Sequence, residues 1–136
     1  DDFIIYMKFK INVLNSSWSM LLCDAVSSTN CIDIAGDGAL CVKVGGVRRD
    51  STTQIIQPNV LYNMILSVSN SVMTLNLNGV IIPLSGSNTN IVSNVNFNLG
   101  NNTTIGRYEY SANEYFNGTI YSLKVFRNTN DLSLIT

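Results

Sequence analysis

Hydrophobic and polar residues alternate with a period of two along the first segment, "FIIYMKFKINV" (residues 3–13). Successive side chains of a β-strand point to opposite faces, so this pattern predicts a strand with one buried and one exposed face. The predicted core face carries Phe3, Ile5, Met7, Phe9, Ile11 and Val13, and the other face carries Tyr6, Lys8, Lys10 and Asn12, with Ile4 as an apolar exception.

The segment "CIDIAGDGALCVKV" (residues 31–44) predicts a β-hairpin. With a three-residue loop at Gly36–Gly38, Ile34 faces Leu40 and the apolar residues collect on one face. A two-residue turn would mix apolar and polar residues on both faces, so the longer loop is predicted. The opposite face then carries Asp33, Cys41 and Lys43.

Asn78-Gly79 is the strongest hairpin signal in the chain, because both residues of a two-residue turn must adopt φ > 0. It joins "VMTLNL" to "VIIPL". The first of these predicts a core face of Val72, Leu75 and Leu77 with a slip of one position. Pro83 lacks a backbone donor, which places its strand at the edge of a sheet or ends it.

Shorter patterns complete the chain. They predict a loop in "GGVRRDSTT" (45–53), a strand in "QIIQP" (54–58) that Pro58 ends, one or two strands in "IVSNVNFNLG" (91–100), a last strand in "YSLKVFRN" (121–128) and one helical turn in "TNDLSLIT" (129–136). No segment keeps a helical period. Roughly ten short strands separated by turn residues predict an all-β fold, a two-sheet antiparallel β-sandwich or jelly roll.

The composition is polar but not ionic. The 136 residues suit a single domain, residues 1–136, and 46% of them are hydrophobic while 12% are charged, with a net charge of −1. Nucleic-acid binding needs clustered Lys and Arg, and the one basic pair, Arg48-Arg49, is followed at once by Asp50. We therefore expect no nucleic-acid partner. No apolar run is long enough to span a bilayer, so we expect no membrane insertion.

Histidine is absent, which removes the commonest general base and the commonest zinc ligand. Three cysteines, Cys23, Cys31 and Cys41, lack the spacing of a metal site. We interpret them first as small buried hydrophobic side chains. One disulfide with one free thiol, and three reduced thiols, are the alternatives.

The second half of the chain contains a recognisable order of motifs. "NVLYNMILSVSNSVMTLNLNGVII" (59–82) is followed by "FNLGNNTTIGR" (97–107) and then by "YFNGTIYSLKVFRNTNDLSLI" (115–135). This order resembles the laminin-G-like branch of the concanavalin A-like lectin/glucanase superfamily, over residues 60–135 and more generally over 3–45. Two positions depart from that pattern: Leu61-Tyr62 replaces a Trp-His pair, and Asn78 replaces an acidic residue.

The stretch "FNGTI" (residues 116–120) has two interpretations. Asn117-Gly118 is either a two-residue hairpin turn or the start of the last strand, and the resemblance favours the second. Gly118 then provides a positive φ or a close approach of two backbones. The core candidates of this strand are Phe116, Ile120, Leu123 and Val125, with a bulge or change of face among them.

The resemblance also implies a comparison with the glucanases of that superfamily. These enzymes carry two or three carboxylates on alternate residues of one strand, where they flank a glycosidic bond. No Glu-x-Asp-x-Glu pattern exists here, and the two glutamates, Glu109 and Glu114, both lie in the predicted loop 107–114. Solvated loop charges explain them better than a catalytic pair. We therefore expect a protein that is not an enzyme.

A carbohydrate site has more support. Sugar recognition combines aromatic ring faces with amide, carboxylate and hydroxyl groups, and the loop "RYEYSANEY" (107–115) supplies both within nine residues. The candidate sugar-binding residues are Arg107, Tyr108, Glu109, Tyr110, Asn113 and, after the first turn, Trp18. The alternative is structural: Tyr115 with Tyr108 or Tyr110 covers the core edge, and Trp18 packs on the core.

The resemblance also implies a calcium ion, because laminin-G-like domains often hold one with loop carboxylates and carbonyls. Asp33, Asp37 and Asp50 lie near predicted loops and are weak candidates for its ligands. The spaced acidic cluster of a strong site is missing. We therefore expect either no cofactor or one Ca²⁺.

These observations favour a non-catalytic carbohydrate-binding or adhesion module of a larger extracellular, cell-surface or phage-fibre protein. Its expected partner is a glycan, and the parent protein is a candidate for homo-oligomerisation. The start of the chain at Asp1-Asp2 indicates a domain boundary within that parent. The alternative is a structural or protein-interaction β-sandwich domain of a virion or surface protein, without a sugar site.

Overall fold

The computed structural model describes residues 2–24, 30–85, 103–108 and 111–135. The strands predicted within 91–100 lie outside the described residues. The strands are β1 (Phe3–Val13), β2 (Trp18–Asp24), β3 (Cys31–Ala35), β4 (Ala39–Val44), β5 (Val47–Gln54), β6 (Leu61–Ser69), β7 (Val72–Leu77), β8 (Val80–Ile81), β9 (Thr103–Ile105), β10 (Arg107–Tyr108), β11 (Ser111–Tyr115) and β12 (Asn117–Arg127). A 3₁₀ turn at Leu132–Ile135 confirms the predicted helical turn.

The described strands form two five-stranded antiparallel sheets and one separate hairpin. The back sheet has the order β12-β1-β6-β7-β8, the front sheet has the order β5-β4-β3-β2-β9, and β10 pairs with β11. Side chains from the facing sides of both sheets form one hydrophobic core. The prediction of an all-β, two-sheet antiparallel sandwich of jelly-roll type is confirmed.

The alternation of β1 sets the core side of the back sheet. Phe3 to Ile11 bury their odd-numbered side chains in the core, as predicted. Val13 was placed on the same face but is 56% exposed, because the register to β12 shifts between Ile11 and Val13. Ile4, on the polar face, is fully buried.

The hairpin of β3 and β4 has the predicted register, with Ile34 opposite Leu40 and Asp33 opposite Cys41. The turn at Asn78-Gly79 is also confirmed, with φ of 51° and 84°. β8 ends before Pro83 and lies at the edge of the back sheet, as the proline predicts.

Two predictions between residues 45 and 58 are wrong. The segment 45–53 was predicted as a loop, but Val47–Gln54 is strand β5. Gly45 and Gly46 have φ of 59° and 81°, which fits a tight turn that returns the chain along β4. β5 is an edge strand, so its polar residues need not alternate with apolar ones. The strand predicted within 54–58 does not form, because the chain leaves the sheet after Gln54.

The predicted slip in β7 is also wrong. Asn70 and Ser71 have φ of 49° and 65° and form the turn that places Val72 opposite Ser69. Val72 is 45% exposed, whereas Met73 is fully buried. The core side of β7 is therefore Met73, Leu75 and Leu77, in unbroken alternation.

The last strand begins at Asn117, so Asn117-Gly118 starts a strand rather than forming a hairpin turn. Lys8 pairs with Ser122 and Phe9 with Ile120, so Tyr121 is the extra residue of a bulge. The predicted core residues of this region, Phe116, Ile120, Leu123 and Val125, pack against the core.

Cys23 and Cys31 lie opposite each other on β2 and β3 and form a disulfide. Cys41 is free and buried. All three cysteines are buried, as first interpreted, and of the two alternatives for their bonding, one bridge with one free thiol is the one found. No helix among the described residues combines the length and the hydropathy needed to cross a membrane.

Gly118→Ala tests the close approach of β12 to β1. An added Cβ would lie 2.8 Å from Ile11 Cα and closer still to the carbonyl oxygen of Lys10. Because both neighbours are backbone and cannot swing aside, we expect the free energy of unfolding to fall by about 3 kcal/mol. Gly79→Ala is the control, since its Cβ meets nothing within 4 Å and only its positive φ costs energy, about 1 kcal/mol. Equal losses in urea unfolding would contradict the close approach.

Candidate functional site

The outer face of the front sheet carries two rows of residues that face each other across the strands. One row is Met20, Asp33, Cys41 and Asp50, from β2 to β5. The next row is Cys23, Cys31, Lys43 and Arg48. Directly opposed residues of an antiparallel sheet share a face, so these polar and sulfur-containing side chains lie together.

Trp18 and Arg48 meet above these rows. They belong to β2 and β5, which are separated by β3 and β4, so the two strands lie about 14 Å apart at the usual strand spacing. Yet the Arg48 guanidinium carbon lies 4.3 Å from the centre of the Trp18 ring. The two side chains therefore extend toward each other over β3 and β4, and their stacking adds a cation–π attraction.

Arg48 makes two further contacts. Its Nε donates to Asp50 Oδ1 at 2.8 Å in an ion pair, and its Nη2 donates to Cys41 Sγ at 3.5 Å. A guanidinium has five N–H donors. Within the described part of the chain, the remaining three have no acceptor, and the Arg48 side chain is 48% exposed. Arg48 is therefore held in place and still able to donate to a ligand.

A cavity of about 250 Å³ opens beside this pair. Its lining includes Trp18, Met20, Asp33, Lys43, Arg48 and Glu114. Pockets for drug-sized ligands measure about 300–1,000 Å³, so this one suits a small group such as a single sugar ring. We refer to it as the front pocket.

Asp33 lies in the front pocket with an unusual acidity. Its pKa is raised from 3.8 to about 7, chiefly by burial and to a smaller extent by the nearby carboxylates Asp50 and Glu114, against the opposing effect of Arg48. Burial disfavours the charged form of a carboxyl group. Asp33 is therefore close to half protonated at neutral pH, which lowers the negative charge of the pocket.

Cys41 lies between Asp33 and Asp50 in the same row. Burial, together with the neighbouring Asp50 and Asp33 carboxyl groups, raises the pKa of the Cys41 thiol far above its usual range. The thiolate is the nucleophilic form of cysteine. Cys41 therefore contributes volume and a weak acceptor to the pocket floor rather than reactivity.

The structure brings two of the predicted sugar-binding elements together. Trp18 lines the front pocket, and so does Glu114 from the tyrosine-rich segment. That segment forms the β10–β11 hairpin beside β2. Arg107, Tyr108 and Asn113 lie on its strands, and Arg107 is exposed. Glu109 and Tyr110 lie outside the described residues.

The three aspartates proposed as calcium ligands do not come together. Asp33 and Asp50 share one row of the front sheet, with Asp50 paired to Arg48. Asp37 lies in the β3–β4 turn, where it accepts hydrogen bonds from Ala39 N and Gln54 Nε2. Among the described residues, the one set of three clustered potential ligands is Cys23, Asp24 and Cys31, and its two sulfurs are bonded to each other. This arrangement does not fit a calcium site.

Sequence reasoning missed Arg48, Lys43 and Glu114 as pocket residues. Arg48 was assigned to a loop because the polar segment after Gly46 shows no period of two. The Gly45-Gly46 pair was the available signal: a tight turn there places Lys43 opposite Arg48 and Cys41 opposite Asp50. The contact between Arg48 and Trp18 depends on the order of four strands in the sheet, and a local sequence pattern does not predict that order.

Comparison with solved structures confirms the concanavalin A-like fold that the resemblance implied. The CBM40 of Ruminococcus gnavus IT-sialidase, solved with α2,3-sialyllactose, gives a TM-score of 0.68 at 18% identity over 99% of this chain and 80% of that chain. Its structure with α2,6-sialyllactose gives 0.68 at 17%, over 99% and 82%. Domains LG4-5 of the mouse laminin α1 chain give 0.64 at 16%, over 94% and 36%.

A sialidase from Trypanosoma rangeli gives a TM-score of 0.63 at 12% identity, over 92% of this chain and 20% of that chain. No protein-family model matches the sequence, and no curated protein is detectably similar to it. At these identities the comparisons establish the shared fold and nothing more specific.

Asp33→Asn tests the raised pKa of Asp33. Because the native state binds the Asp33 proton more tightly than the unfolded state does, the contribution of Asp33 to stability is present below pH 4 and is lost as the pH rises to about 7. We expect Asp33→Asn to be more stable than the parent at pH 8, by about 1–3 kcal/mol at 1.36 kcal/mol per pKa unit after allowance for partial exposure. Urea unfolding at pH 4.5 and pH 8 measures this.

Asp37→Asn is the matched control for that measurement. Its hydrogen bond from Ala39 N lowers the pKa of Asp37, so its charged form is favoured by folding. The same chemical change at Asp37 should therefore give no gain in stability at pH 8. The quantity to compare is the difference in unfolding free energy between the parent and Asp33→Asn at the two pH values. If that difference is the same at pH 4.5 and at pH 8, the pKa of Asp33 is not raised by folding.

Proposed function

We propose that this chain is a non-catalytic carbohydrate-binding module that holds an acidic sugar residue of a glycan in the front pocket. The observation that carries the proposal is the guanidinium of Arg48, which is stacked on Trp18 and retains free N–H donors beside a cavity of about 250 Å³. Arg presents a planar fork of donors that matches a carboxylate. Trp18 and Asp50 hold this fork in one orientation before a ligand arrives.

Cations and carboxyl groups face each other in the pocket, so a ligand carboxylate depends on the directed donors of Arg48 rather than on an excess of positive charge. Lys43 and Arg48 are the cations, and the carboxyl groups that accompany them are Asp50, which is paired with Arg48, and Glu114. Asp33 is partly protonated near neutral pH because burial raises its pKa to about 7. A protonated Asp33 can donate a hydrogen bond to a sugar hydroxyl or carboxylate instead of repelling it.

The β10–β11 hairpin provides a second set of contacts. Its residue Glu114 lines the pocket, which supports a position of the hairpin next to the proposed sugar. We propose that Tyr108 and Tyr110 stack on the glycan and that Arg107, Glu109 and Asn113 contact its hydroxyl groups. This assignment follows from the residue types of the segment and from its position next to β2.

Two of the solved structures support the class of ligand. The Ruminococcus gnavus module was solved bound to α2,3- and to α2,6-sialyllactose, both of which carry a sugar carboxylate. The share of longer chains that this fold occupies, 20% in the sialidase and 36% in the laminin chain, supports a module within a larger protein. We propose that the parent is extracellular or exposed on a cell or virion surface.

A glycoside hydrolase is the second candidate, and it rests on the carboxyl groups of Asp33 and Asp50. A retained proton on one carboxyl beside an ionised second one is the arrangement of many glycosidases. Here Asp50 is committed to Arg48 at 2.8 Å, which withdraws it from attack on a sugar. Release of nitrophenol from a panel of nitrophenyl glycosides, abolished in Asp33→Asn, would favour this candidate over the binding module.

Arg48 variants test the proposed module directly. Titration calorimetry with 3′-sialyllactose and with neutral lactose should show binding of the acidic sugar alone. We expect Arg48→Met to weaken it at least about 100-fold, a loss of about 3 kcal/mol, and Arg48→Lys to weaken it about 10-fold, because lysine keeps the charge without the planar fork. Arg127→Met, which removes the same charge from the back sheet, should bind normally. Equal affinity for lactose would contradict an acidic ligand.

The hairpin is tested by Tyr108→Ala combined with Tyr110→Ala. Binding on a glycan array, run with calcium and with a chelator, should fall at least about 10-fold while the thermal midpoint stays nearly unchanged, because side chains that contact only the ligand contribute to binding and not to the core. A large drop in the midpoint would instead show that these tyrosines cover the core. Loss of binding in the chelator arm would restore a role for calcium.

A further inference from the structure

The outer face of the back sheet carries three of the four lysines of the chain. Lys8 and Lys10 lie on β1, and Lys124 lies on the neighbouring β12. The core side of β1 is occupied by its odd-numbered residues, so the even-numbered lysines point away from the core. We call these residues, with Tyr6 and Tyr121, the lysine face.

The three ammonium groups belong to one continuous patch. Residues two apart on a strand are about 6.8 Å apart, which is the spacing of Lys8 and Lys10. Lys124 pairs with Tyr6 and is thus a diagonal neighbour of Lys8, about 7–8 Å away. These are backbone separations, and they make Lys8 the neighbour of both Lys10 and Lys124, so three like charges are gathered on one surface.

Aromatic rings lie between the lysines. Lys124 Nζ is 5.7 Å from the centre of the Tyr6 ring, and Lys8 Nζ is 6.0 Å from that of Tyr121. Tyr121 is 53% exposed because it is the extra residue of the β12 bulge. Tyr6 donates a hydrogen bond to Asn63 Oδ1 at 2.9 Å, which holds its ring in place.

No carboxylate balances this charge on the sheet itself. The five described strands of the back sheet contain four basic residues and no Asp or Glu. The nearest acidic residues in sequence, Asp2 and Asp131, accept hydrogen bonds from Asn70, Asn130 and Ser133. Among the described residues, the one ion pair is Arg48–Asp50 on the front sheet. The outer face of the back sheet is therefore basic although the net charge of the chain is −1.

We propose that the lysine face binds an acidic polysaccharide, through ionic contacts of its carboxylate or sulfate groups to Lys8, Lys10 and Lys124 and through packing of its sugar rings on Tyr6 and Tyr121. The proposal is independent of the front pocket, which lies on the opposite sheet. Charge complementarity favours an anionic partner, because an anion placed among the three lysines interacts favourably with each positive charge. The exposed tyrosine and the amide of Asn63 favour a sugar polymer, which offers both ring faces and hydroxyl groups.

Double-stranded DNA fits this surface less well. The DNA major groove admits a helix or a two-stranded ribbon, whereas the lysine face belongs to a five-stranded sheet, on its edge strand β12 and the adjacent strand β1. Arginine, the residue that best matches phosphate geometry, is absent from the face. An anionic membrane is a third polyanion, and the experiment includes it as a comparison.

Binding to immobilised dextran sulfate, with unmodified dextran as the neutral polymer of the same backbone, tests the proposal by biolayer interferometry. We expect the parent protein to bind dextran sulfate and not dextran. The combined variant Lys8→Gln, Lys10→Gln and Lys124→Gln should lose at least about 10-fold in affinity. The slope of log affinity against log salt concentration should become shallower by about two, at about 0.7–0.9 per neutralised charge.

Arg127→Gln is the matched control, since it removes a charge from β12 at a position paired with the core residue Phe3. The three lysine changes are also made in an Arg48→Met background, where binding of sulfate groups at the front pocket is removed, so that the remaining loss belongs to the lysine face. Tyr121→Ala tests ring packing and should weaken binding about 3-fold or more without changing the salt slope, because stacking is not ionic. A circular dichroism melt of each variant verifies folding.

Three results would overturn the proposal. One is unchanged binding in the folded triple-lysine variant. Another is an Arg127→Gln loss as large as that of Lys8→Gln alone, measured in the same assay, which would mean that binding follows the net charge of the protein rather than this face. The third is equal affinity of the parent for dextran sulfate, a DNA duplex and phosphatidylserine vesicles, which would show unselective attraction to polyanions.

Discussion

The pairing of the first strand with the last one is the interaction on which the rest of the structure depends. β1 lies in the back sheet between β12 and β6, so residues more than 100 positions apart in the chain must meet before the core can close. Gly118 permits this contact, because its missing side chain leaves room for the backbone at Lys10 and Ile11. Loop closure over such distances is entropically costly, and the buried odd-numbered residues of β1 are what offset it.

The same pairing determines where the surface chemistry lies. A shift of one residue in β1 would expose Phe9 and bury Lys8 and Lys10. Burial of the core residues therefore determines the register of β1, and this register keeps the two lysines on the outer face. On the front sheet, the inward positions of Ile32 and Ile34 likewise force Asp33 to the outer face. Both candidate surfaces are therefore consequences of core burial.

The front pocket retains a feature that costs stability. Asp33 is half-buried in the cavity that Trp18 and Arg48 also line, near two other carboxyl groups, and its raised pKa means that ionisation near neutral pH is less favourable in the folded state. Groups with strongly shifted pKa values are common at binding and catalytic sites. An apolar residue at this position would avoid the cost, so the presence of Asp33 agrees with a role toward a ligand.

Period-two alternation predicted the elements whose faces differ in burial, such as β1 and the hairpin of Ile34 and Leu40. It failed at β5, because an edge strand with one solvated side tolerates a run such as Arg48 to Thr53 that has no apolar partner positions. It also misplaced Val72, because a serine in the sequence does not indicate that Ser71 adopts a positive φ. The pocket was half predicted: Trp18 could be picked by residue type, while Arg48 required knowledge of strand order.

The two candidate surfaces face away from each other, and this geometry limits how one polymer can use both. Packed sheets lie about 10 Å apart, and the front pocket and the lysine face lie on their outward sides. A single extended glycan cannot touch both without bending around the domain. The front pocket is suited to one sugar residue and the lysine face to a length of polymer. The domain would therefore bind two different glycan chains, one at each surface, rather than one chain at both surfaces. Such a cross-link gains avidity only where the parent protein or the surface presents both chains at high local concentration.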